Sequence, residues 1–552
     1  MGNAKRFFSL GFIILVAFVL IGWRLFHVGY LRHTYYQALK EQQIVFQNDA
    51  SSRGSILIKD LPSNNLILSA VSEKEYKIEL SKKKPVQIDR VLNLLSGIVS
   101  FDVDRVLNDF LDSSKSKVVI IGGLNQDQIS KIRSLGLDSL NIIASPKRIY
   151  PLGSLAAHVF GFLGFQGQDR VGQYGIEAQY EDLLSGKNSS KNSSDPSDKI
   201  QNANLILTID KNIQSYVEEV MNEIYKKWEA SGASVIVQDP GSGAILAMAA
   251  TPSFDPNNYS TSPTSRFINP TVQEVFEPGS SFKPITMAAG LDLGEITPKT
   301  TYVDPGMVRI GSYTITNFNG KNFGVQTMTQ VLEKSLNTGA IFVERKIGDE
   351  NFLSYVERFG FGRKTGIDLF GETSGDIQNL YSKRPVNFAT AAFGQGVAVT
   401  PIQLITAYSA IANGGKLMKP YLVDKIIFSD GKEEIAKSSI VGRPISETTA
   451  LTLQQMLVSA VDNGFDKARV KGYDVAGKTG TAQIPDGKGG YSDEFIHNFL
   501  GFAPAYNAKF TVLLKLDRPK GIKFSSDSLS PPFAKISRFL VNYFSVSPTR
   551  PN

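Results

Sequence analysis

The sequence predicts a multidomain protein of the α/β or α+β class that follows a single N-terminal transmembrane helix. Residues 7–23 form an apolar run without a charged side chain, and residues 185–204 are polar and almost free of apolar side chains. Strand-like and helix-like patterns occur on both sides of that polar stretch. A chain of 552 residues, 42% hydrophobic and 20% charged, is long enough for several domains with buried cores.

The apolar run FFSLGFIILVAFVLIGW has the features of a membrane anchor. It is at the short end of the roughly 17–25 residues that span a bilayer, and Trp23 and Tyr30 stand where interfacial aromatic residues are expected. A cleaved signal peptide is the alternative, but no small-x-small cleavage site follows the run, and the segment continues amphipathically from Arg24. Basic residues flank the run on both sides, so charge alone does not set its orientation.

The composition excludes several classes of site. The chain has 59 basic and 52 acidic residues, a net charge of +7, but the basic residues are dispersed and the longest run is Lys82–Lys84. A nucleic-acid partner would require a dense basic stripe, so we expect none. The chain has no cysteine and only four scattered histidines, which argues against thiolate and histidine metal sites. We expect no cofactor and no metal, so catalysis must rest on hydroxyls, amines or carboxylates.

Short strand and helix patterns fill the regions before and after the polar stretch. SSRGSILIKD at residues 51–60 is a turn that enters a strand. Two apolar runs joined by Asp239-Pro-Gly-Ser-Gly predict a hairpin, because proline and glycine supply the turn dihedrals. The other expected elements are a helix over residues 35–47, a strand at Val118–Ile121, a helix over Gln126–Leu135, a strand at Leu205–Ile209, a helix from about Asn212, and a strand pair at Phe499–Phe502 and Phe510–Leu516.

The first candidate catalytic motif is EPGSSFKP, in which a Pro-Gly turn places Ser280 at the start of an apolar helix. A spacing of three residues puts the Ser280 hydroxyl and the Lys283 amine on one helix face. A serine is a weak nucleophile until a base takes its proton, and a buried lysine near other cations can be that base. Alone, the pattern also fits a helix cap beside a solvated lysine. Two further pairs share the spacing but lack the turn and the helix: Ser81 with Lys84, and Ser114 with Lys117.

The second candidate motif is Ser335-Leu336-Asn337, inside a helical pattern that we expect to be interrupted at Asn337-Thr338-Gly339. A serine and an amide two residues apart can relay a proton to a leaving group and hold a substrate carbonyl. The motif alone is weak, because a polar helix end explains it equally well and the same spacing occurs at residues 63–65 and 190–192.

The third candidate motif is Lys478-Thr479-Gly480-Thr481, in a strand-like stretch. Its extended backbone can bind an extended peptide by strand addition, Lys478 and Thr479 can hold a carboxylate, and Gly480 permits close approach. Residues 364–366 repeat the Lys-Thr-Gly letters, but they lie in a glycine-rich connection that predicts a surface turn.

The three motifs together resemble the signature of penicillin-binding proteins and class A β-lactamases. The chain resembles the class B penicillin-binding proteins along nearly all its length. The phrases that carry this resemblance are SSRGSILIKD, KRIYPLGSLAAHVFGFLG, YGIEAQYEDLLSG, LTIDKNIQ, VQDPGSGAILAMAATPSFDPNNY, EPGSSFKPIT, FGQGVAVTPIQL and AGKTGTAQ. Leu336 in the variable slot of the second motif and Phe370 in place of an expected proline are small departures.

The resemblance implies a specific domain order. It comprises a cytoplasmic stub and transmembrane anchor at 1–33, an elongated α+β pedestal domain of the dimerisation type at 34–204 with its polar linker at 185–204, a penicillin-binding (β-lactamase-like) transpeptidase domain at 205–545, and a tail at 546–552. The transpeptidase domain should contain a five-stranded antiparallel sheet flanked by helices.

The resemblance also implies a peptidoglycan D,D-transpeptidase that cross-links stem peptides through a serine acyl-enzyme. The implied roles are Ser280 as nucleophile, Lys283 as its base, Ser335 and Asn337 for the leaving-group proton and a substrate amide, Lys478 and Thr479 for the terminal carboxylate, and the backbone N–H groups of Ser280 and Thr481 as the oxyanion hole. β-Lactams, which mimic the substrate, should acylate Ser280.

Other functions share part of this pattern. A D,D-carboxypeptidase uses the same motifs, so they do not separate it from a transpeptidase. A class A β-lactamase uses a Glu-x-x-x-Asn arrangement to activate water, and residues 338–477 contain no such spacing. A non-catalytic scaffold of the division complex, or a receptor for β-lactams or muropeptides, would not need an intact Ser280 and Lys283. The transpeptidase is therefore the preferred interpretation.

The resemblance finally implies a location and partners. We expect a single-pass protein of the inner or plasma membrane with its catalytic domain on the outer side, periplasmic or extracellular. Its partners would be stem peptides, lipid-linked nascent glycan, a membrane-embedded glycan polymerase, and other proteins of the division or elongation machinery. The compact first domain favours division over elongation, and the acceptor amine stays open.

Overall fold

The computed structural model describes residues 53–82, 87–167, 169–186, 202–317, 320–487 and 490–551. The expected anchor at 1–33, the helical segment at 35–47 and most of the polar stretch at 185–204 lie outside these residues. Within the described ranges, no helix combines the length and the apolar character needed to cross a bilayer. The anchor therefore stays a prediction from the sequence.

The elements before the polar stretch are β1 (Ile56–Asp60), β2 (Asn65–Ser81), α1 (Ile88–Ser96), α2 (Val103–Leu111), β3 (Lys117–Leu124), α3 (Gln126–Ser134), β4 (Leu140–Ile149), α4 (Ala157–Phe160), β5 (Leu163–Gln166), β6 (Asp169–Gly172), α5 (Gly175–Gln179) and α6 (Glu181–Ser185). After it come β7 (Ala203–Asp210), α7 (Lys211–Lys227), β8 (Gly232–Gln238), β9 (Ile245–Thr251), α8 (Pro270–Gln273), a 3-10 turn (Gly279–Phe282), α9 (Lys283–Asp292), β10 (Thr301–Asp304), β11 (Met307–Ile310), β12 (Tyr313–Thr316), β13 (Gly324–Thr327), α10 (Met328–Glu333), α11 (Asn337–Ile347) and α12 (Asp349–Arg358). The last elements are α13 (Gln378–Tyr381), α14 (Pro385–Ala391), α15 (Pro401–Ala412), β14 (Leu417–Met418), β15 (Val423–Phe428), β16 (Glu433–Ile435), β17 (Ile440–Gly442), α16 (Glu447–Gly464), β18 (Ala476–Pro485), β19 (Tyr491–Ala503), β20 (Phe510–Asp517), α17 (Ser525–Ser528) and α18 (Ser530–Tyr543).

The N-terminal region has a small hydrophobic core of its own. The long strand β2 pairs antiparallel with β3 and β4, and α1, α2 and α3 supply apolar side chains that pack against this sheet. Along β3, Val118 and Ile120 are buried whereas Val119 is exposed, which is the alternation of a sheet covered on one face. The strand and the helix expected at 118–121 and 126–135 are confirmed.

One sheet crosses the predicted boundary between the domains. Strand β1 runs parallel to β7, and β7 pairs antiparallel with β15. Ile56 and Ile58 of β1 belong to the same hydrophobic core as the C-terminal region. All eight residues of β7 are buried, as in a strand that is covered on both faces. The boundary predicted between residues 204 and 205 therefore falls inside β7, and the domain limits stay a prediction.

The C-terminal region is built on a five-stranded antiparallel sheet with the order β18-β19-β20-β8-β9. The hairpin expected around Asp239-Pro-Gly-Ser-Gly is formed by β8 and β9. Gly243 in its turn has φ +88°, and a Cβ atom there would lie 2.4 Å from the Lys419 carbonyl oxygen, so the position requires glycine. The strand pair expected at 499–502 and 510–516 is confirmed, and its first strand begins earlier, at Tyr491.

Helices pack against this sheet in two groups. Helices α7 and α18 contact each other and the strands, and in the second group α16 contacts both α9 and α15. Every residue of α15 is buried, because the helix is mostly apolar and is enclosed by other elements. Its first turn is fixed by a capping box between Thr400 and Gln403 and by Pro401 in the first turn.

A buried ion network ties the segment before β1 to β4 and α5. The Glu177 carboxylate is fully buried and accepts from Arg53 Nε at 2.7 Å and from Arg148 Nε at 2.7 Å. Burial opposes ionisation of Glu177, but the two guanidinium groups outweigh it and hold the pKa of the carboxyl below its usual range.

Removal of the shared carboxylate should destabilise the protein strongly. Glu177→Ala leaves the buried Arg148 guanidinium without its carboxylate partner and Arg53 with Glu181 alone, which is expected to lower the free energy of unfolding by about 3–5 kcal/mol. The control Lys131→Ala removes an exposed pair with Asp127 and should cost less than about 1 kcal/mol. Thermal unfolding of the full-length variants measures both, and equal losses would contradict the assigned role of the network.

Candidate active site

The Ser280 turn leads directly into helix α9. Residues Gly279–Phe282 form a 3-10 turn, and α9 begins at Lys283. Gly279 has φ +59°, and a Cβ atom there would lie 3.0 Å from the Thr481 carbonyl oxygen. Glycine therefore allows this turn to sit against strand β18, which carries the third motif. The predicted turn and helix are confirmed.

The Lys283 amine lies at hydrogen-bond distance from two serines. Its Nζ atom is 3.0 Å from Ser280 Oγ, 3.2 Å from Ser335 Oγ and 2.5 Å from the Ser335 carbonyl oxygen. The side chain is fully buried. Burial lowers the pKa of this amine well below its ordinary value, and the nearby Lys478 lowers it further. A neutral Lys283 can accept the proton of Ser280.

The helix break of the second motif differs from the prediction. Helix α10 ends at Glu333 and α11 begins at Asn337, so the interruption spans residues 334–336 and not 337–339. Ser335 has φ +57°, an uncommon conformation for a residue with a side chain. Gly339 allows the two helices to approach, because a Cβ atom there would lie 2.4 Å from Val331 Cγ2.

Lys478 points towards the second motif. Its Nζ atom lies 2.9 Å from Ser335 Oγ and 4.5 Å from the centre of the Phe465 ring. Burial lowers the pKa of this lysine to about 7. The side chain is fully buried and is not among the residues that line the cleft, whereas Thr479 and Thr481 are.

The predicted site residues from the three motifs meet at one cleft of about 740 Å³. Strand β18 is an edge strand of the five-stranded sheet, and the Ser280 turn packs beside it. Edge strands present unpaired backbone groups to an extended ligand. The predicted site residues on the cleft wall are Ser280, Ser335, Asn337, Thr479 and Thr481.

Gly480 contacts the Ser280 turn. A Cβ atom at this position would lie 2.4 Å from the Pro278 carbonyl oxygen and 2.5 Å from the Asn498 side chain. The sequence predicted that this glycine permits the approach of a peptide; the close neighbour in the structure is the turn that carries Ser280. Asn498 donates to the same Pro278 carbonyl at 2.9 Å, so the strand and the turn are fastened together.

The described residues of the repeated motifs lie outside the cleft. Lys364 is exposed, and the Thr365 N–H and hydroxyl both donate to Glu372, which makes the predicted surface turn. Ser114 lies in an exposed turn and donates to Asp112, and Lys117 pairs with Glu79 at 3.5 Å. Lys84 is outside the described residues.

Several residues around the site were missed by sequence reasoning. The Glu277 carboxylate accepts from the Gly396 N–H and the Tyr491 hydroxyl, each at 3.0 Å, and joins three segments at the rim. Burial raises the pKa of Glu277, and the two hydrogen bonds, which lower it, do not outweigh this effect. Its place at the start of EPGSSFKP was a signal, but its partners lie 119 and 214 residues away, which no local pattern indicates.

The buried amine of Lys478 should lower stability at neutral pH. The unfolded lysine titrates near pH 10.4, whereas burial brings the folded pKa to about 7. Between these values the unfolded chain binds more protons, so the destabilisation is complete below about pH 7 and absent above about pH 10.4.

Lys478→Met keeps the length of the side chain and removes the amine. We expect the variant to unfold at a higher temperature than the wild type at pH 7, by a margin that shrinks towards pH 10. Thermal unfolding across this range measures the margin. A margin that does not change with pH would contradict a buried, uncompensated amine.

Two protein-family models match the chain. The family described as penicillin binding protein transpeptidase domain matches residues 233–538, and the penicillin-binding protein dimerisation domain matches residues 49–204. Stage V sporulation protein D of Bacillus subtilis is 33% identical over 83% of this chain and 73% of its own. The probable peptidoglycan D,D-transpeptidase PenA of Neisseria meningitidis is 29% identical over 98% of this chain and 94% of its own.

Solved structures share the fold. Penicillin binding protein 3 of Mycobacterium tuberculosis, complexed with aztreonam, has a TM-score of 0.70 and 26% identity, over 91% of this chain and 98% of that one. The dimerisation model matches before residue 205 and the transpeptidase model after it, and the relatives named above align with most of the chain. The chain therefore belongs to the class B penicillin-binding proteins, the serine D,D-transpeptidases of peptidoglycan.

Proposed function

We propose that Ser280 is the nucleophile of this transpeptidase and that Lys283 is its general base. The Ser280 oxygen attacks the carbonyl carbon of the penultimate D-alanine in a stem peptide while its proton passes to Lys283 Nζ, 3.0 Å away. The backbone N–H groups of Ser280 and Thr481 hold the resulting oxyanion. The single observation that carries the proposal is this contact between a cleft-lining serine and a buried amine.

Ser335 is placed to return the proton. Its hydroxyl lies between the two amines, 3.2 Å from Lys283 Nζ and 2.9 Å from Lys478 Nζ. In the proposed sequence the proton moves from Lys283 through Ser335 to the nitrogen of the leaving D-alanine, the peptide C–N bond breaks, and an acyl-enzyme on Ser280 remains. An acceptor amine then attacks the ester carbonyl and forms the new peptide bond, the ester C–O bond to Ser280 breaks, and the proton that the amine loses passes to the Ser280 oxygen.

The hydroxyls of Thr479 and Thr481 are the proposed direct contacts for the terminal carboxylate. Both residues line the cleft, whereas the Lys478 amine faces Ser335, so Lys478 acts on the carboxylate through its charge. Asn337 lines the cleft as well, and its side-chain nitrogen donates to the Thr316 carbonyl at 3.0 Å. That bond fixes the amide, whose proposed role is to hold a substrate amide group.

Binding of β-lactams follows from the same site. The relative from Mycobacterium tuberculosis was solved with aztreonam and with ampicillin, which supports the proposal that β-lactams acylate Ser280 here. A strained β-lactam amide takes the place of the D-alanyl-D-alanine bond, and the ring nitrogen stays attached after opening.

The proposed location is the inner or plasma membrane, with residues 7–23 as a single-pass anchor and the catalytic region on the outer side. The apolar run supports the anchor, and a cell-wall substrate requires the outer side. The proposed partners are lipid-linked nascent glycan and a membrane-embedded glycan polymerase of the division or elongation machinery. Septal or lateral wall synthesis is the proposed setting.

Labelling of the full-length protein with a fluorescent penicillin tests the nucleophile. Ser280→Ala should lose covalent labelling by about a thousandfold or more, because the attacking oxygen is removed. Ser114→Ala, in a pair with the same spacing but outside the cleft, should label like the wild type. Persistent labelling of Ser280→Ala would overturn the assignment. Formation of a cross-linked product from a pentapeptide donor and an added amine then separates the transpeptidase from a carboxypeptidase, which releases only the hydrolysed donor.

A further inference from the structure

The start of helix α11 is capped by a residue from another segment. The residue at its N-cap position is Leu336, which makes no side-chain cap. Instead, the Asn317 side-chain oxygen accepts from the backbone N–H of Asn337 at 2.9 Å and of Thr338 at 3.2 Å. Asn317 thus satisfies donors that a helix leaves unpaired in its first turn.

A buried carboxylate fixes the orientation of this amide. Asn317 Nδ2 donates to Asp304 Oδ1 at 2.9 Å and to Oδ2 at 3.0 Å. An amide that donates on one side must present its oxygen on the other, and that side faces the first turn of α11. If the amide rotated by 180°, its NH₂ group would face two backbone N–H donors.

Asp304 must be ionised to fill this role. It is fully buried at the end of β10, and it also accepts from the Thr338 hydroxyl at 2.6 Å and from the N–H groups of Gly306 and Phe323, each at 3.0 Å. All of its partners are donors, so a protonated or amidated group would place a donor against a donor. Burial opposes ionisation, but these bonds outweigh it and hold the pKa of Asp304 below its usual range.

The position of Ser335 depends on this arrangement. Ser335 comes two residues before Asn337, and its backbone is held in the uncommon conformation with φ +57°. Its carbonyl and hydroxyl oxygens meet the Lys283 amine, and the hydroxyl also meets Lys478. A displaced start of α11 would move Ser335 away from both amines, and catalytic groups lose efficiency with shifts of about 1 Å.

We propose that Asp304 and Asn317 are positioning residues for the transfer reaction: the Asp304 carboxylate orients the Asn317 amide, and this amide fixes the first turn of α11 and so the places of Ser335 and Asn337. Neither residue belongs to the three motifs, and neither is assigned a contact with the substrate. The inference rests on the proposed function, because its readout is acylation of Ser280.

Two single variants and their combination test the proposal in the full-length protein. Asp304→Asn removes the charge that sets the amide orientation, and Asn317→Asp places two carboxylates against each other. Each should slow acylation by a fluorescent penicillin at saturating concentration by about tenfold to a hundredfold, with a smaller change in the concentration for half-saturation. The acylation rate of each variant should also rise over a higher pH range than that of the wild type. The reason is that a displaced Ser335 leaves the Lys283 amine less buried, which raises its pKa.

The double variant Asp304→Asn with Asn317→Asp restores one donor and one acceptor between the two side chains, with a carboxylate at the helix start. It should acylate faster than either single variant, although not at the wild-type rate, because one group that faces the Phe323 N–H becomes a donor. If the acylation rate of the double variant instead fell by the product of the two single-variant factors, the proposal would be overturned.

Glu372→Gln is the matched control. Glu372 is a nearly buried carboxylate that accepts from Thr365 and Gly366 in a turn outside the cleft, so its loss should lower the unfolding temperature but leave acylation within about twofold of the wild type. Folded single variants with the wild-type acylation rate would also overturn the proposal. If the Ser280→Ala variant were still labelled, the proposed nucleophile would fail independently of these results.

Discussion

Among the residues that the structure describes, no acidic side chain pairs with the Lys283 amine, and the rest of the site depends on this condition. The amine is fully buried, it meets oxygens of Ser280 and Ser335, and the nearest charge that acts on it is the like charge of Lys478. An isolated buried ammonium is too costly to keep, so the group gives up its proton. A stabilising partner such as a carboxylate would restore the proton and remove the base. The free energy of unfolding is therefore lower than it would be if Lys283 had a partner of opposite charge. Such a loss of stability is common where function requires a group with a shifted pKa.

Three stretches that are far apart in the chain surround this amine, because glycines allow their backbones to approach one another closely. The Ser280 turn and β18 approach so closely at Gly279 and Gly480 that a Cβ atom at either position would be crowded. A hydrogen bond from Asn498 holds the same contact. On the other side, the strained Ser335 turn is held between the two lysines and the capped start of α11. The edge position of β18 keeps one side of this strand free for a substrate in extended form. The candidate site lies where the edge strand β18, the start of α11 and the break between α10 and α11 come together.

The local features were predictable from the sequence, and the long-range ones were not. The turn before Ser280, the β8–β9 hairpin and the strand nature of residues 478–481 follow from glycine and proline placement and from alternation. The break between α10 and α11 was placed three residues too late, because the polar letters of Asn337 suggest a helix end unless the external cap by Asn317 is known. Three other features depend on residues that are far apart in sequence, and no local pattern encodes them. They are the contact of Gly480 with the Ser280 turn, the hydrogen bonds of Glu277, and the sheet that joins β1 to β7.

The rate of Ser280 acylation as a function of pH tests the central claim most directly. A β-lactam at saturating concentration, mixed rapidly with the full-length protein, reports the chemical step without a contribution from binding. If Lys283 is the base and burial lowers its pKa, the rate should rise with pH and reach its maximum well below the ordinary lysine value of about 10.4. A rate that still climbs at about pH 10, as it would with an ordinary lysine, would contradict the account.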